Sequence, residues 1–236
     1  MNFQSIRNQL QKSIQRKTAP MALASMLALG ACGFASAKEE AVRLPDPGLD
    51  TPAKGMQTAV FAGGCFWGVQ AVFQHSKGVM SAISGYSGGA ANKARYDMVS
   101  RGDTGHAEAV KVTYDPTKIS YGQLLKIFMS VVHNPTELNR QGPDTGTQYR
   151  SAIFYTSDDQ QKVAQAYFDQ LKAAKSFSKP IVTQLVPLKA FYEAEDYHQD
   201  YATLHPDQPY IAYNDLPKVA NLKTMFPATY RDSIKP

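Results

Sequence analysis

Thiols are scarce in this chain. Its 236 residues hold two cysteines, Cys32 and Cys65, and a single tryptophan, Trp67. So few cysteines exclude a disulfide-stapled small domain, which needs several pairs. His106, His133 and His198 fit no metal-finger spacing, which leaves no zinc motif. Internal repeats and low-complexity tracts are also missing. The longest apolar run is too short to span a bilayer comfortably. Acidic residues are lacking throughout residues 1–37, where Arg7, Lys12, Arg16 and Lys17 lie. Without those four the formal charge falls from +5 to +1. The nearly neutral remainder carries no nucleic-acid signal.

The basic start runs into the apolar stretch MALASMLALGA at residues 21–31, the pattern of a secretory signal. Two ends fit it. Ala35-Ser36-Ala37 is an A-x-A site before Lys38, giving a signal of residues 1–37. Leu29-Gly30-Ala31-Cys32 resembles a bacterial lipobox, giving a signal of residues 1–31 with Cys32 lipidated as the mature N-terminus. Residues 38–57, with Pro45, Pro47, Gly48, Pro52 and Gly55, read as a linker, and residues 58–236 as one domain. The expected location is the bacterial periplasm or envelope, lipid-anchored in the second reading. Under either reading the mature domain keeps one free thiol, Cys65, and a monomer is expected.

Apolar runs and turn residues predict strands at 58–62, 79–86, 107–114, 151–156 and 181–187. Helical spacing predicts helices at 65–75, at 120–133 after a Ser120 cap, and from Ser157 to about residue 176. Residues 90–105 and 134–149 read as long loops. The order βαββαβ followed by αβ is that of a ferredoxin-like split βαβ two-layer sandwich, an α+β fold. The segment from Phe191 onwards, rich in Tyr, Pro and Asp, reads as a long irregular tail over the domain surface.

The stretch FAGGCFWG, residues 61–68, places Cys65 between a glycine turn and a helix. Unpaired N–H groups and the helix dipole favour an anion there, which predicts a lowered thiol pKa and a nucleophile. Gly63 and Gly64 are expected to let a ligand approach the backbone. Phe66 and Trp67 cannot both face the core, because consecutive helical residues diverge. One is therefore expected to line a pocket for a small apolar group, with Phe66 the better fit to the core. On the third strand Glu108 shares a face with Val110, Val112 and Tyr114. Such a carboxyl is expected to lose solvent and hold its proton as an acid. Tyr96, Asp144 and Tyr149 lie in the two long loops and are candidates to complete the pocket. The plain alternatives are core packing for Cys65 and Phe66, a solvent-facing strand edge for Glu108, and loop structure for Tyr96, Asp144 and Tyr149.

Taken together, GCFWG at 64–68, GYSGG at 85–89, GDTGHAE at 102–108, RQGPDTGTQYR at 140–150 and EDYHQDY at 195–201 resemble the A-type peptide-methionine sulfoxide reductases. The likeness runs in family order over about residues 58–213. It implies reduction of the S epimer of methionine sulfoxide, free or in proteins, and so repair of oxidative damage. By motif match it implies Cys65 as nucleophile, Glu108 as acid, and Tyr96 and Tyr149 as phenols on the sulfoxide oxygen. It further implies Phe66 and Trp67 as the methyl holder, Asp144 as an orienting polar residue, and Tyr201 as a further site aromatic. No cofactor is implied, only an external thiol reductant such as thioredoxin.

Two departures stand out. His133-Asn134-Pro135 replaces the family's frequent His-Asp-Pro, and the resolving cysteines that many members carry near the C-terminus are missing. A sulfenic acid on Cys65 would therefore be reduced by a thiol from outside. Two competing functions are a Cys–His acyl-transfer hydrolase using His106 or His198, and a non-enzymatic envelope lipoprotein that binds Met residues.

Overall fold

The structure, a computed structural model, describes residues 41–232. The expected signal and Cys32 lie outside the described residues. A six-stranded sheet has its strands in the order β7 (Gln184–Pro187), β6 (Ser151–Tyr155), β1 (Gln57–Gly63), β3 (Ala107–Tyr114), β2 (Val79–Ser87) and β8 (Phe191–Glu193). Its central strand β1 pairs antiparallel with both β3 and β6. β2 runs antiparallel to β3. β7 is parallel to β6, and β8 is antiparallel to β2. This is an α+β architecture, matching the expected class.

The central position of β1 explains why its sequence is a continuous apolar run without alternation: both faces are covered. Ala59 and Phe61 face the main core, while Val60 and Ala62 join Ala107, Ala109, Ala152 and Phe154 in a smaller cluster. Helices α1 (Phe66–Gln74), α3 (Tyr121–Ile127) and α4 (Asp158–Ala173) contribute to the main core. The Phe61 ring stacks with Phe73 of α1 at 5.1 Å and with Phe128 at 4.9 Å. α3 opens with the expected cap, and Ser120 and Gln123 bond each other's backbone N–H reciprocally. The loop at 90–105 contains a short helix, α2 (Tyr96–Val99). A two-residue hairpin, β4 (Arg140–Gln141) and β5 (Asp144–Thr145), carries Asp144.

Two expectations need correction. The tail is not irregular: β8 extends the sheet, and α5 (Tyr201–Leu204) and α6 (Leu216–Met225) follow. Ile211, Val219 and Leu222 are buried in the main core. Pro217 conceals α6 in the sequence, yet a first-turn proline costs nothing because that N–H has no helical partner. The residues 38–57 read as a linker are, from Ala41 on, a strap on the domain. Val42 donates its N–H to the Ser130 carbonyl at 2.9 Å, and the Tyr167 hydroxyl donates to the Pro45 carbonyl at 3.0 Å. The Asp50 carboxylate accepts the Gly122 N–H at the start of α3, where the helix dipole favours an anion. Leu44 is 6% exposed in the main core. Leu44→Ala is therefore expected to cost about 2–4 kcal/mol in urea unfolding, whereas in a slack linker it would cost nothing. Among the described residues no helix is long and apolar enough to cross a membrane.

Candidate active site

Cys65 is the N-cap of α1, one residue before its first turn. The chain reaches it through Gly64, whose φ of +90° suits glycine. A Cβ on Gly64 would lie 2.6 Å from Gln141 Cβ, so this glycine makes room for Gln141 rather than for a ligand. Likewise a Cβ on Gly63 would press on Phe128 and Val132. The expected ligand approach at these glycines is thus corrected: they serve internal packing. The Gln141 amide accepts the Asn134 N–H at 2.8 Å and donates to the Asn134 carbonyl at 2.9 Å, pinning the 134–141 loop against the turn.

Above Cys65 opens a cavity of about 230 Å³, lined by Cys65, Phe66, Trp67, Tyr96, Glu108, Asp144, Tyr149, Gln208 and Tyr210. Seven of the site residues named from sequence meet here. Glu108, opposite Tyr86 in the β2–β3 register, is 2% exposed, and its Oε2 accepts the Phe66 N–H at 3.0 Å. Burial is the main force on it and pushes its pKa from 4.5 to about 8. The Phe66 N–H pulls the other way, and Asp144 and Asp215 add to the rise. The carboxyl is accordingly protonated at neutral pH, as an acid should be.

The thiol reverses its expectation. Burial pushes the Cys65 pKa well above its usual value, and Asp215 and Glu108 raise it further. The Trp67 N–H opposes them but does not win. Carboxyls crowd the same helix end, so the dipole that would favour a thiolate is already shared. Burial likewise raises Tyr96 and Tyr149, with Glu108 the next cause for each, so both phenols stay protonated and able to donate.

Phe66 is 1% exposed and Trp67 half-buried, yet both reach the cavity. Tyr201 does not line it. Instead its ring stacks on Trp67 at 4.0 Å and 13°, holding the indole from behind. The Trp67 Nε1–H donates to His198 Nδ1 at 3.3 Å. Glu195 accepts the Tyr96 N–H and the Tyr86 hydroxyl, both at 2.9 Å, and so holds the Tyr96 loop over the cavity. The 195–201 motif thus braces the walls. Gln208 and Tyr210 escaped the sequence reading; the Tyr210 hydroxyl donates a short hydrogen bond to Asp144 Oδ2. Their one signal was a tyrosine in a tail already full of tyrosines.

No histidine lines the cavity. His106 accepts the Gly89 N–H at 3.2 Å on Nδ1, and its Nε2 lies 3.0 Å from the Ala90 carbonyl. His133 Nδ1 lies 3.0 Å from the Phe128 carbonyl, and burial lowers its pKa to about 3. A histidine base beside the thiol is therefore lacking, which removes the geometric support for a Cys–His hydrolase. A larger cleft of about 330 Å³, lined by Gln70, Gln199 and Asp200 among others, holds no cysteine and no histidine. The cavity instead joins a thiol, a proton-bearing carboxyl and phenol donors at one end to an aromatic wall. Such a set suits a small group with a basic oxygen and an apolar substituent.

The family model for peptide methionine sulfoxide reductase matches residues 57–230. The peptide methionine sulfoxide reductase MsrA 2 of Mesorhizobium japonicum is 62% identical over 76% of this chain and 92% of its own length. A Synechocystis protein of the same name is 50% identical over 81% of this chain and 90% of its own length. Mxr1 of Saccharomyces cerevisiae in its reduced form superposes with a TM-score of 0.60 at 34% identity, covering 68% of this chain and 91% of that one. Methionine sulfoxide reductase A of Corynebacterium diphtheriae gives 0.56 at 31% identity, covering 72% and 88%. With the cavity's chemistry in agreement, the chain belongs to the peptide methionine sulfoxide reductase family, in its A-type branch.

Proposed function

We propose that this reductase acts on the S epimer of methionine sulfoxide, free or in oxidised proteins, with Cys65 as nucleophile and Glu108 as acid. The observation that carries the reading is the Glu108 carboxyl bonded to the Phe66 N–H, next in sequence to Cys65, with its proton retained at neutral pH. Glu108 gives that proton to the sulfoxide oxygen, assisted by Tyr96 and Tyr149. The Cys65 sulfur attacks the sulfoxide sulfur and gives its own proton to the freed carboxylate. The sulfur–oxygen bond breaks as its hydroxyl passes to the Cys65 sulfur, the new bond between the two sulfurs breaks as methionine leaves with that electron pair, and Cys65 is left as a sulfenic acid. The thiol supplies both electrons, so no cofactor enters the balance. Phe66 and Trp67 hold the methyl group and Asp144 orients the substrate, while Tyr201 acts through Trp67.

Cys65 is the one free cysteine among the described residues, so an external thiol, of thioredoxin type, completes the cycle. The basic, then apolar start supports export to the periplasm or envelope, with signal cleavage or lipidation at Cys32 as the two routes. A monomer suffices, since all the proposed site residues come from one chain. The order β6-β1-β3-β2, with its antiparallel pairings, supports the split βαβ plan for the core.

The test omits reductant. Incubation with methionine-S-sulfoxide is expected to release one methionine per chain and stop, with intact mass gaining one oxygen at Cys65. Addition of thioredoxin with its reductase restores turnover. Release of no methionine overturns the reading, and repeated turnover without a reductant overturns the role of a lone thiol.

A further inference from the structure

The tail sequence NDLPK at 214–218 buries both of its charges. Asp215 is 0% exposed, Lys218 is 6% exposed, and they face each other at 3.9 Å. Asp215 is the N-cap residue of α6, a position where aspartate usually bonds its own helix. Here its side chain makes no capping bond to α6. It lies over the first turn of α1 instead, where a Cβ on Gly68 would overlap Oδ1. Gly68, which closes the FAGGCFWG stretch, is thereby explained as space for this carboxylate. Three acidic groups then share one helix end: Cys65 as its cap, Glu108 on the Phe66 N–H, and Asp215 above Gly68.

We propose that Asp215, buried with Lys218, is a positioning residue that keeps Cys65 a neutral thiol at rest. This rests on the reading of Cys65 as the nucleophile. The titratable groups that share the cavity with Cys65 are Glu108 from β3, Asp144 from β5, Tyr96 from α2, Tyr149 and Tyr210, Asp215 lies over the same helix end at Gly68, and the cavity lining includes no cationic side chain. After burial, Asp215 is the largest force raising the thiol. Lys218 faces Asp215, with His133 also within its field. The benefit lies in Cys65 being the one free thiol among the described residues. A thiolate is the form that attacks peroxides and is oxidised by them, and its sulfenic acid proceeds irreversibly to sulfinic and sulfonic acids unless another thiol intervenes. A chain whose cavity thiol stands alone is protected by a site that keeps its proton until a sulfoxide arrives.

The test follows thiolate ultraviolet absorbance of the reductant-free protein against pH, in wild type, Asp215→Asn and the double variant Asp215→Asn with Lys218→Met. The double variant removes the pair together and leaves no buried lone cation, a change that folds tolerate better than loss of one partner. The expected midpoint is lower by about one pH unit in both variants. Oxidation of Cys65 by hydrogen peroxide at neutral pH is expected to speed up about three- to tenfold, since the gain in thiolate is partly offset by weaker nucleophilicity. Near-ultraviolet circular dichroism verifies folding. Unchanged or raised midpoints in folded variants overturn the proposal and reduce Asp215 to a packing role; if the single variant fails to fold, the double variant decides. The midpoint is read without sulfoxide, so it stands or falls separately from the reductase reading.

Discussion

Glu108→Gln is expected to slow oxygen transfer onto Cys65 by about 10²- to 10⁴-fold in a single turnover, with substrate binding little changed. Glutamine keeps the acceptor that holds Glu108 in place, because an amide oxygen can take the Phe66 N–H that Oε2 takes now. It cannot deliver a proton. The loss therefore falls on kcat and not on KM, the mark of an interaction made in the transition state. In wild type the chemical step requires the protonated carboxyl, whose pKa is about 8, so its rate declines as pH rises through that value. The variant lacks this limb. A wild-type rate in Glu108→Gln, read as methionine released in one turnover, would remove Glu108 from the acid role.

The same substitution is expected to stabilise the fold. Glu108 has a folded pKa of about 8 against an ordinary 4.5, so between these values the native state binds more protons than the unfolded chain. Stability then falls with rising pH across that window and levels off above it. The cost near neutrality is on the order of a few kcal/mol. Urea unfolding of wild type is expected to show this decline from pH about 5 to about 8, and Glu108→Gln to lose most of it. An acid held ready for catalysis thus costs stability at the pH where it works.

How legible all this was in the sequence depended on whether a residue's partners lay nearby. Strands β1, β2 and β3 were readable because their apolar runs end at Gly or Asp-Pro, β6 because its run ends at the Ser157 helix cap, and α3 because Ser120 and Gln123 lie three residues apart. The burial of Glu108 followed from alternation along one strand. The strap was missed because proline and glycine look the same in a slack linker and in an extended segment held by distant side chains such as Tyr167 and Gln170. Gln208 and Tyr210 were missed because they reach the cavity by the path of the tail, not by any period. The thiol's pKa was misjudged for the same reason. The helix end beside Cys65 was visible in the local sequence, but Asp215 lies 150 positions away and reaches that end only in the fold.

Cys65→Ser is expected to abolish reduction outright, a larger effect than any other substitution. Reduction of a sulfoxide consumes two electrons, and a thiol supplies them as its sulfur becomes a sulfenic acid. A serine hydroxyl has no such oxidation within reach, so even a perfectly placed Oγ cannot replace the electrons. This separates the present chemistry from acyl transfer, where serine and cysteine can both serve as nucleophiles. The substitution is also mild for the fold. Cys65 is 7% exposed at the N-cap of α1, a position where serine is a favoured residue. Helix α1 is therefore expected to persist, and the loss of activity to reflect chemistry alone. The measurement is methionine released by the folded variant, with thioredoxin and its reductase present in excess. Any methionine above the protein-free background would mean that another group supplies the electrons, and would end the assignment of Cys65.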